Sequence, residues 1–400
     1  MSEESFLSSF WQRQPLFIER GCNTIDPALD SDEIAWLATL PDVESRLVFT
    51  DRHNGTLSYR VEHGPFTEAT LSALPGEDWT LLVQDVEKHL PDFRQLLAAA
   101  DFIPDWRIDD LMVSVAAPGG SVGPHKDNYD VFLCQGTGRR NWRITDEAAT
   151  ESDPLSHEMS LLKPYEGKQN FFAGEGDVLY LPPGTPHWGV ADDLCVTWSI
   201  GMRAPNMAEI HAGYERLFPD DAGLAEGEAK SVSQRFYQDP DLEKSEAIAG
   251  LISAAAIRRI HEQALLPDTC DKEKAAIVLG SVVTDPKAWI APECVSAEDA
   301  DKWLATFSVQ DKLKVHGMAR LAFCEHSDGG LFFANGFWRM LSQQQCALVR
   351  EVCAKRAISA KELVRAVSDP GVAELLVWIK MHGVIDLASD TAGGGRERMA

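Results

Sequence analysis

Four hundred residues exceed what one hydrophobic core ordinarily supports, so the chain is expected to divide into two or three domains. Apolar residues at 44% and charged residues at 25% describe an ordinary globular composition, with no continuous apolar run of about eighteen residues that would read as a membrane span. The formal charge of −25, from 62 acidic against 37 basic residues, argues against nucleic acid as a general surface partner and favours a basic protein.

The first block, residues 1–205, opens with a helical stretch from Ser5 to Gln12 and a strand Leu16-Phe17-Ile18. A helix is expected to start near Asp30, where Glu33 stands in capping-box spacing and Ile34, Leu37 and Leu40 form an apolar stripe. A second helix is read through Trp79, Leu82, Val83, Val86 and Leu90, and both stripes are expected to be core. An alternating strand follows over Asp110 to Ala116, then a turn at Pro118-Gly119-Gly120. Beyond His125-Lys126-Asp127, the segment Tyr129 to Gln135 reads as a strand, and Gly136-Thr137-Gly138 turns it into Arg139 to Ile144. A last turn, Gly174 to Asp177, launches Val178-Leu179-Tyr180-Leu181 into the corner Pro182-Pro183-Gly184-Thr185-Pro186-His187. Short strands punctuated by glycine and proline predict an antiparallel double-sheet barrel, the double-stranded β-helix of jelly rolls and cupins.

The chemistry of that block concentrates in a few side chains. His125 and Asp127, two residues apart on a strand, project to the same face. His187, at the proline-rich corner, can complete a site of two imidazoles and one carboxylate. Such a triad holds Fe(II) while leaving the opposite positions open for a bidentate cosubstrate and dioxygen. Lys126 between them faces away. Arg140 can reach the barrel interior where its neighbour Arg139 cannot, and a planar guanidinium forks onto a dicarboxylate such as 2-oxoglutarate. Ser114 can donate a hydroxyl to the same carboxylate. The other histidines, His53, His63, His89, His157, His211, His261, His316, His326 and His382, lack ligand spacing with one another.

The second block, residues 206–268, is rich in helix formers, with helices expected over Met207 to Phe218 and Leu242 to Leu266. The third, residues 269–400, suggests a small winged-helix-like domain, giving an α+β chain overall. A hairpin is expected where Arg320 to Cys324 and Leu331 to Phe333 flank Ser327-Asp328-Gly329-Gly330. Two helices have capping-box starts, Ser342 with Gln345 and Ser359 with Glu362; a last one runs through Leu375, Leu376 and Ile379 to Gly383, and Val384 to Leu387 closes as a strand. The tail from Ser389, with glycines at 393 to 395, is expected to be disordered. A winged helix raises the rival reading of a DNA-binding regulator with a sensing barrel. Its recognition helix, Ser359 to Ser368, offers only Lys361 and Arg365 beside Glu362, so no direct DNA binding is expected. The eight cysteines show no Cys-x-x-Cys, which disfavours structural zinc and disulfides. The first residues, Met1 to Ser5, lack a secretion signal, and a cytoplasmic protein is expected.

The run Pro118 to Pro124, His125-x-Asp127-x-Tyr129-Asp130-Val131-Phe132, continued by Gln135-Gly136-x-Gly138-Arg139-Arg140-x-Trp142, resembles the bacterial ribosomal oxygenases of the YcfD type. The likeness takes in Asp105 to Met112, the corner Leu181 to His187, Ser199-Ile200-Gly201-x-Arg203-Ala204-Pro205-Asn206 and, more weakly, Tyr237-Gln238-Asp239-Pro240-Asp241. It implies a JmjC-type fold and 2-oxoglutarate- and Fe(II)-dependent hydroxylation of the β-carbon of an arginyl residue in a large-subunit ribosomal protein. Dioxygen would be consumed and 2-oxoglutarate decarboxylated to succinate. The resemblance implies His125, Asp127 and His187 as metal ligands and catalytic centre, Arg140 on the distal carboxylate of 2-oxoglutarate, and Asp110, Met112, Tyr129 and Ser199 around the substrate side chain. It also implies that the helices of 206–268 make a homodimer. Animal relatives act on histidyl residues and commonly use lysine where Arg140 stands. A histidyl hydroxylase or another JmjC hydroxylase or demethylase is thus the alternative, but the acidic Asp110 suits a cationic arginine better than a neutral imidazole. A cupin of isomerase or dioxygenase type without 2-oxoglutarate would usually need further histidines.

Overall fold

Buried apolar strands dominate the N-terminal part of the computed structural model, which describes residues 1–22, 31–53, 56–146, 150–152, 160–221, 230–306, 313–359, 364 and 369–387. One sheet runs, edge to edge, β1 (Leu16–Ile18), β9 (Val178–Leu181), β6 (Val131–Gln135), β11 (Cys195–Met202), β5 (Ile108–Ala116), β4 (Trp79–Val83), β2 (Ser45–His53) and β3 (Thr56–His63). A second is built from β10 (His187–Ala191), β7 (Arg140–Ile144) and β8 (Gln169–Ala173). Every pairing in the two sheets is antiparallel.

β6, β9 and β11 are buried along their whole length; β9 is apolar throughout, whereas β11 alternates, with Thr197, Ser199 and Gly201 on one face. β7 does alternate, and its buried positions Arg140, Trp142 and Ile144 all turn to one side. There Trp142 and Ile144 pack with Ala173 of β8 and with Val131, Leu133, Leu179 and Leu181 of the larger sheet. This contact closes the two sheets face to face as a cupin barrel. Each such fully buried side chain stabilises by roughly 1.5–3 kcal/mol.

The chain divides into two units. The first comprises Met1–Phe102, Ile108–Ala204 and Pro240–Leu242, and holds the barrel; the second comprises Ile103–Arg107, Pro205–Asp239 and Glu243–Ala400. In the second, the helix Met207–Leu217 starts with a reciprocal Asn206/Glu209 capping box and packs with Ala254–Gln263 and Lys272–Thr284 around one apolar cluster. A sheet of β13 (Leu321–His326), β14 (Gly329–Ala334) and β15 (Phe337–Leu341) contains the expected hairpin, with Ser327 and Asp328 as its two-residue loop. The Ser342/Gln345 box starts Gln343–Lys355 as read from the sequence, and Pro370–Met381 gives way to Gly383 at φ 66°. β12 (Leu313–Val315) pairs with β16 (Ala357–Ile358) and β17 (Ile385–Leu387).

Two motifs far apart in sequence meet inside this unit. Arg107 Nε donates to Asp239 Oδ2 over 3.0 Å and Nη2 to Oδ1 over 3.1 Å, a fork–fork pair with both side chains at most 1% exposed. Trp106 and Tyr237 form an edge-on aromatic pair beside it.

Several expectations need correction. Trp79 to Leu90 is not one helix: Trp79–Val83 is a strand, and only Val86–His89 is helical. Four successive buried residues in β4 carry no period, and their spacing mimicked a helical stripe. The long hairpin β2–β3 and the strands β8 and β11 were not foreseen. Tyr129 precedes its strand, which begins at Val131. The helix expected over Leu242 to Leu266 is a short 3-10 turn, Lys244–Glu246, followed by Ala254–Gln263. Asp30, His157, nearly all of Ser359 to Ser368 and the tail from Ser389 lie outside the described residues; the helix near Asp30 is seen from Ser31 to Leu37, with Ile34 and Leu37 buried.

Candidate metal centre and its pocket

His187 opens β10, where it pairs with Ile144 of β7. The corner before it is pinned: Gly184 turns at φ 78°, its N–H donates to Asp127 O over 2.7 Å, and Thr145 N donates to Pro186 O over 3.3 Å. His125 and Asp127 do not lie on a regular strand, contrary to the sequence reading. His125 instead forms a single antiparallel bridge with His187, His125 N donating to His187 O over 3.0 Å and His187 N to His125 O over 2.9 Å. That bridge, rather than strand parity, brings the two imidazoles together with ring centroids 4.2 Å apart.

Asp127 Oδ2 lies 3.7 Å from His187 Nε2 and 4.0 Å from His125 Nε2, and the donor atoms of the three residues fall within 4.8 Å of one another. Among the described residues no other such group of His, Cys, Asp or Glu occurs. Each imidazole has its other nitrogen engaged: His125 Nδ1 donates to Gly123 O and His187 Nδ1 to Thr185 O, both over 2.9 Å. A carbonyl can only accept, so these bonds place the proton on Nδ1 and leave both Nε2 lone pairs aimed at a shared point. Burial, with His125 alongside, pushes His187 down to about 4, so it is a neutral ligand at physiological pH. His187 is enclosed, whereas the His125 and Asp127 side chains keep about a quarter of their surface open, which leaves one side accessible.

Arg140 is 3% exposed, on the inward face of β7 and opposite Ala191 and Ala173. Its Nη2 reaches Cys195 Sγ at 3.7 Å, while its Nε has no hydrogen-bond partner among the described residues. A buried donor without a partner is costly, and a bound carboxylate would relieve it. Ser114 shares the inner face of β5 and donates to Thr197 O over 3.4 Å. Sequence reasoning missed its neighbours. Ser114, Thr197 and Gln135 stand side by side across β5, β11 and β6, with Thr197 Oγ1 donating to Gln135 Oε1 over 3.0 Å. The available signal was polar residues at even spacing along one face of buried strands, Asp110 and Ser114 on β5 and Thr197 and Ser199 on β11.

One step along the same face come the residues expected around a substrate. Met112 pairs with Ser199 and Asp110 with Gly201. A Cβ at Gly201 would lie 3.1 Å from Asp110 Oδ1 and 3.9 Å from the Tyr129 ring, so Asp110 and Tyr129 converge over this glycine. Tyr129 keeps 40% of its surface open, yet desolvation of its phenol and the carboxylates of Asp127, Asp110 and Asp109 raise its pKa well above the usual range. A separate cavity of about 440 Å³ lies at the Pro182 to Pro186 corner, lined also by Gln12, Ile144 and Lys168, and includes neither Arg140 nor Asp110.

The barrel carries a His-x-Asp…His set of the kind found in non-haem iron oxygenases, and residues 95–210 match the JmjC domain family. The resemblance to ribosomal oxygenases of the YcfD type is borne out. The chain is 38% identical over 237 residues to ribosomal protein uL16 3-hydroxylase of Escherichia coli K12, covering 59% of this chain and 60% of that relative. The crystal structure of E. coli YcfD superposes over 97% of this chain and 98% of its own at 28% identity, with a TM-score of 0.70. A YcfD structure described as a complex with cobalt and 2-oxoglutarate matches over the same shares with a TM-score of 0.67.

Proposed function

We propose that this protein is a 2-oxoglutarate- and Fe(II)-dependent hydroxylase acting on the β-carbon of an arginyl residue in the large-subunit ribosomal protein uL16. The observation that carries this reading is the convergence of His125, Asp127 and His187 with both Nε2 atoms presented and both Nδ1 atoms occupied. Two imidazoles and a carboxylate suit Fe(II), and the cobalt and 2-oxoglutarate named for the YcfD structure are consistent with that choice.

Fe(II) and 2-oxoglutarate supply the oxidative chemistry, consuming dioxygen and releasing succinate and carbon dioxide. The chain's own groups do the positioning. His125, Asp127 and His187 would hold the metal through the two Nε2 atoms and the Asp127 carboxylate. Arg140 would take the distal carboxylate of 2-oxoglutarate, and the Ser114 hydroxyl would assist. Asp110 accepts from the substrate guanidinium, Tyr129 and Met112 flank its aliphatic stem, and Ser199 borders the same patch. The acidic surface draws a basic ribosomal protein to the site.

The helices of residues 206–268 are read as a homodimerisation region, residues 269–400 as a winged-helix-like domain without direct DNA contact, and the protein as cytoplasmic. No helix among the described residues is long and apolar enough to cross a membrane. The test of function is anaerobic reconstitution with Fe(II) and 2-oxoglutarate, then dioxygen and purified uL16, read by intact mass. The expected outcome is a gain of one oxygen atom on uL16, absent with His125→Ala; an unmodified uL16 alongside hydroxylation of another protein would reject the substrate. Sedimentation showing only monomer at micromolar concentration would reject the dimer.

A further inference from the structure

Asp110 is only 7% exposed, and a carboxylate so covered must be aimed before a cation arrives, because it has little room to search for one. The chain following β4 does the aiming. Glu87 accepts from Leu111 N over 2.9 Å, and Lys88 Nζ donates to Asp109 O over 3.0 Å, so the backbone is held on both sides of Asp110. Glu87 and Lys88 are themselves buried, Lys88 pairing with Asp85 beneath the strand.

The carboxylate itself is held by Gln84. With its amide turned so that both ends are satisfied, Gln84 donates to Asp110 Oδ2 over 2.7 Å and accepts from Arg46 Nη2 over 3.0 Å. Arg46, on β2, has a buried Nε without a hydrogen-bond partner among the described residues, and its Nη2 donates to the Gln84 amide oxygen. On the other side Gly201 keeps the approach to Oδ1 clear.

We propose that Gln84, backed by Arg46, is a positioning residue that sets the plane of the Asp110 carboxylate for a guanidinium in preference to an ammonium. This rests on the reading of Asp110 as the group that receives the substrate's cation. A guanidinium is a flat fork whose N–H bonds need a carboxylate in a matching plane, whereas an ammonium is a point charge that accepts any orientation. One oxygen fixed by a neutral amide orients the carboxylate without neutralising it. Arg46 in turn keeps the amide from rotating.

The test compares the full-length enzyme with Gln84→Leu, Arg46→Met and Asp110→Asn, using uL16 as substrate and, as competitor, uL16 with lysine at the hydroxylated arginine. For Q84L the expected result is a KM for uL16 raised about tenfold, as for one misaligned hydrogen bond to a charged group. Its kcat and its KM for 2-oxoglutarate should stay near wild type, and the lysine competitor's inhibition constant should move much less than the KM for uL16. R46M should shift the same ratio in the same direction by less. An unchanged arginine-to-lysine preference in Q84L, with D110N raising the KM for uL16, overturns the role of Gln84 alone. A D110N enzyme with unchanged KM overturns the reading of Asp110 and this inference with it. Should Q84L lose its fold by circular dichroism, R46M, which leaves the amide in place, is judged by the same criteria.

Discussion

Arg140 and His187 show how burial prepares single side chains for their partners. Replacing Arg140 by Met leaves the pocket packed but leaves the distal carboxylate of 2-oxoglutarate without a counter-charge, a loss of roughly 3–5 kcal/mol. The KM for 2-oxoglutarate should rise by about a hundredfold or more, while metal affinity, measured with Mn(II) by titration, stays unchanged. An unchanged KM would remove Arg140 from cosubstrate binding. His187 makes a different prediction, for the metal-free protein. Its pKa falls from an ordinary value near 6.5 in the unfolded chain to about 4 when folded, so the unfolded state binds the extra proton first. The stability it contributes is complete above pH 6.5 and is lost progressively as pH falls towards 4, about 3 kcal/mol in total. Urea unfolding at pH 7.5 and pH 4.5 should show a larger drop for wild type than for His187→Gln. Equal drops would place the titration elsewhere.

At the level of elements, the fork between Arg107 and Asp239 joins the segment 103–107 to 205–239 within the second unit. Asp239→Ala strips a fully buried guanidinium of this acceptor and should cost about 3–5 kcal/mol, seen as a lowered urea midpoint. A midpoint within error of wild type would mean that water reaches Arg107. Both halves of this pair stood in motifs quoted from the sequence, yet nothing in the sequence said that they touch, since ion pairing depends on a fold that joins them. The same division explains the site. His125, Asp127 and His187 were legible because turn-forming residues flank the ligands on the chain itself. Gln84 and Arg46 were not, because a glutamine after a strand and an arginine on an unforeseen hairpin have no local pattern. β4 was misread for a related reason: a strand with four successive buried residues shows no alternation, and burial there comes from neighbours far away in sequence.

For the whole molecule, the charge of −25 acts at a distance rather than at the ligands. Attraction of a basic ribosomal protein is screened over about 10 Å at 0.1 M salt and about 3 Å at 1 M. The KM for uL16 should therefore climb steeply between low and high salt, while the KM for 2-oxoglutarate, held by buried groups, moves little. Parallel changes in both would trace the salt effect to the barrel rather than to encounter.

The reciprocal backbone bonds between His125 and His187 have one more consequence. Two of the three ligands are stapled together by the main chain and not by the ion they share, so a chelator that strips the ion should leave the imidazoles in place. Reloading the emptied protein with Mn(II), followed by stopped flow, should then show a single binding phase that speeds up with ion concentration and no slow concentration-independent phase.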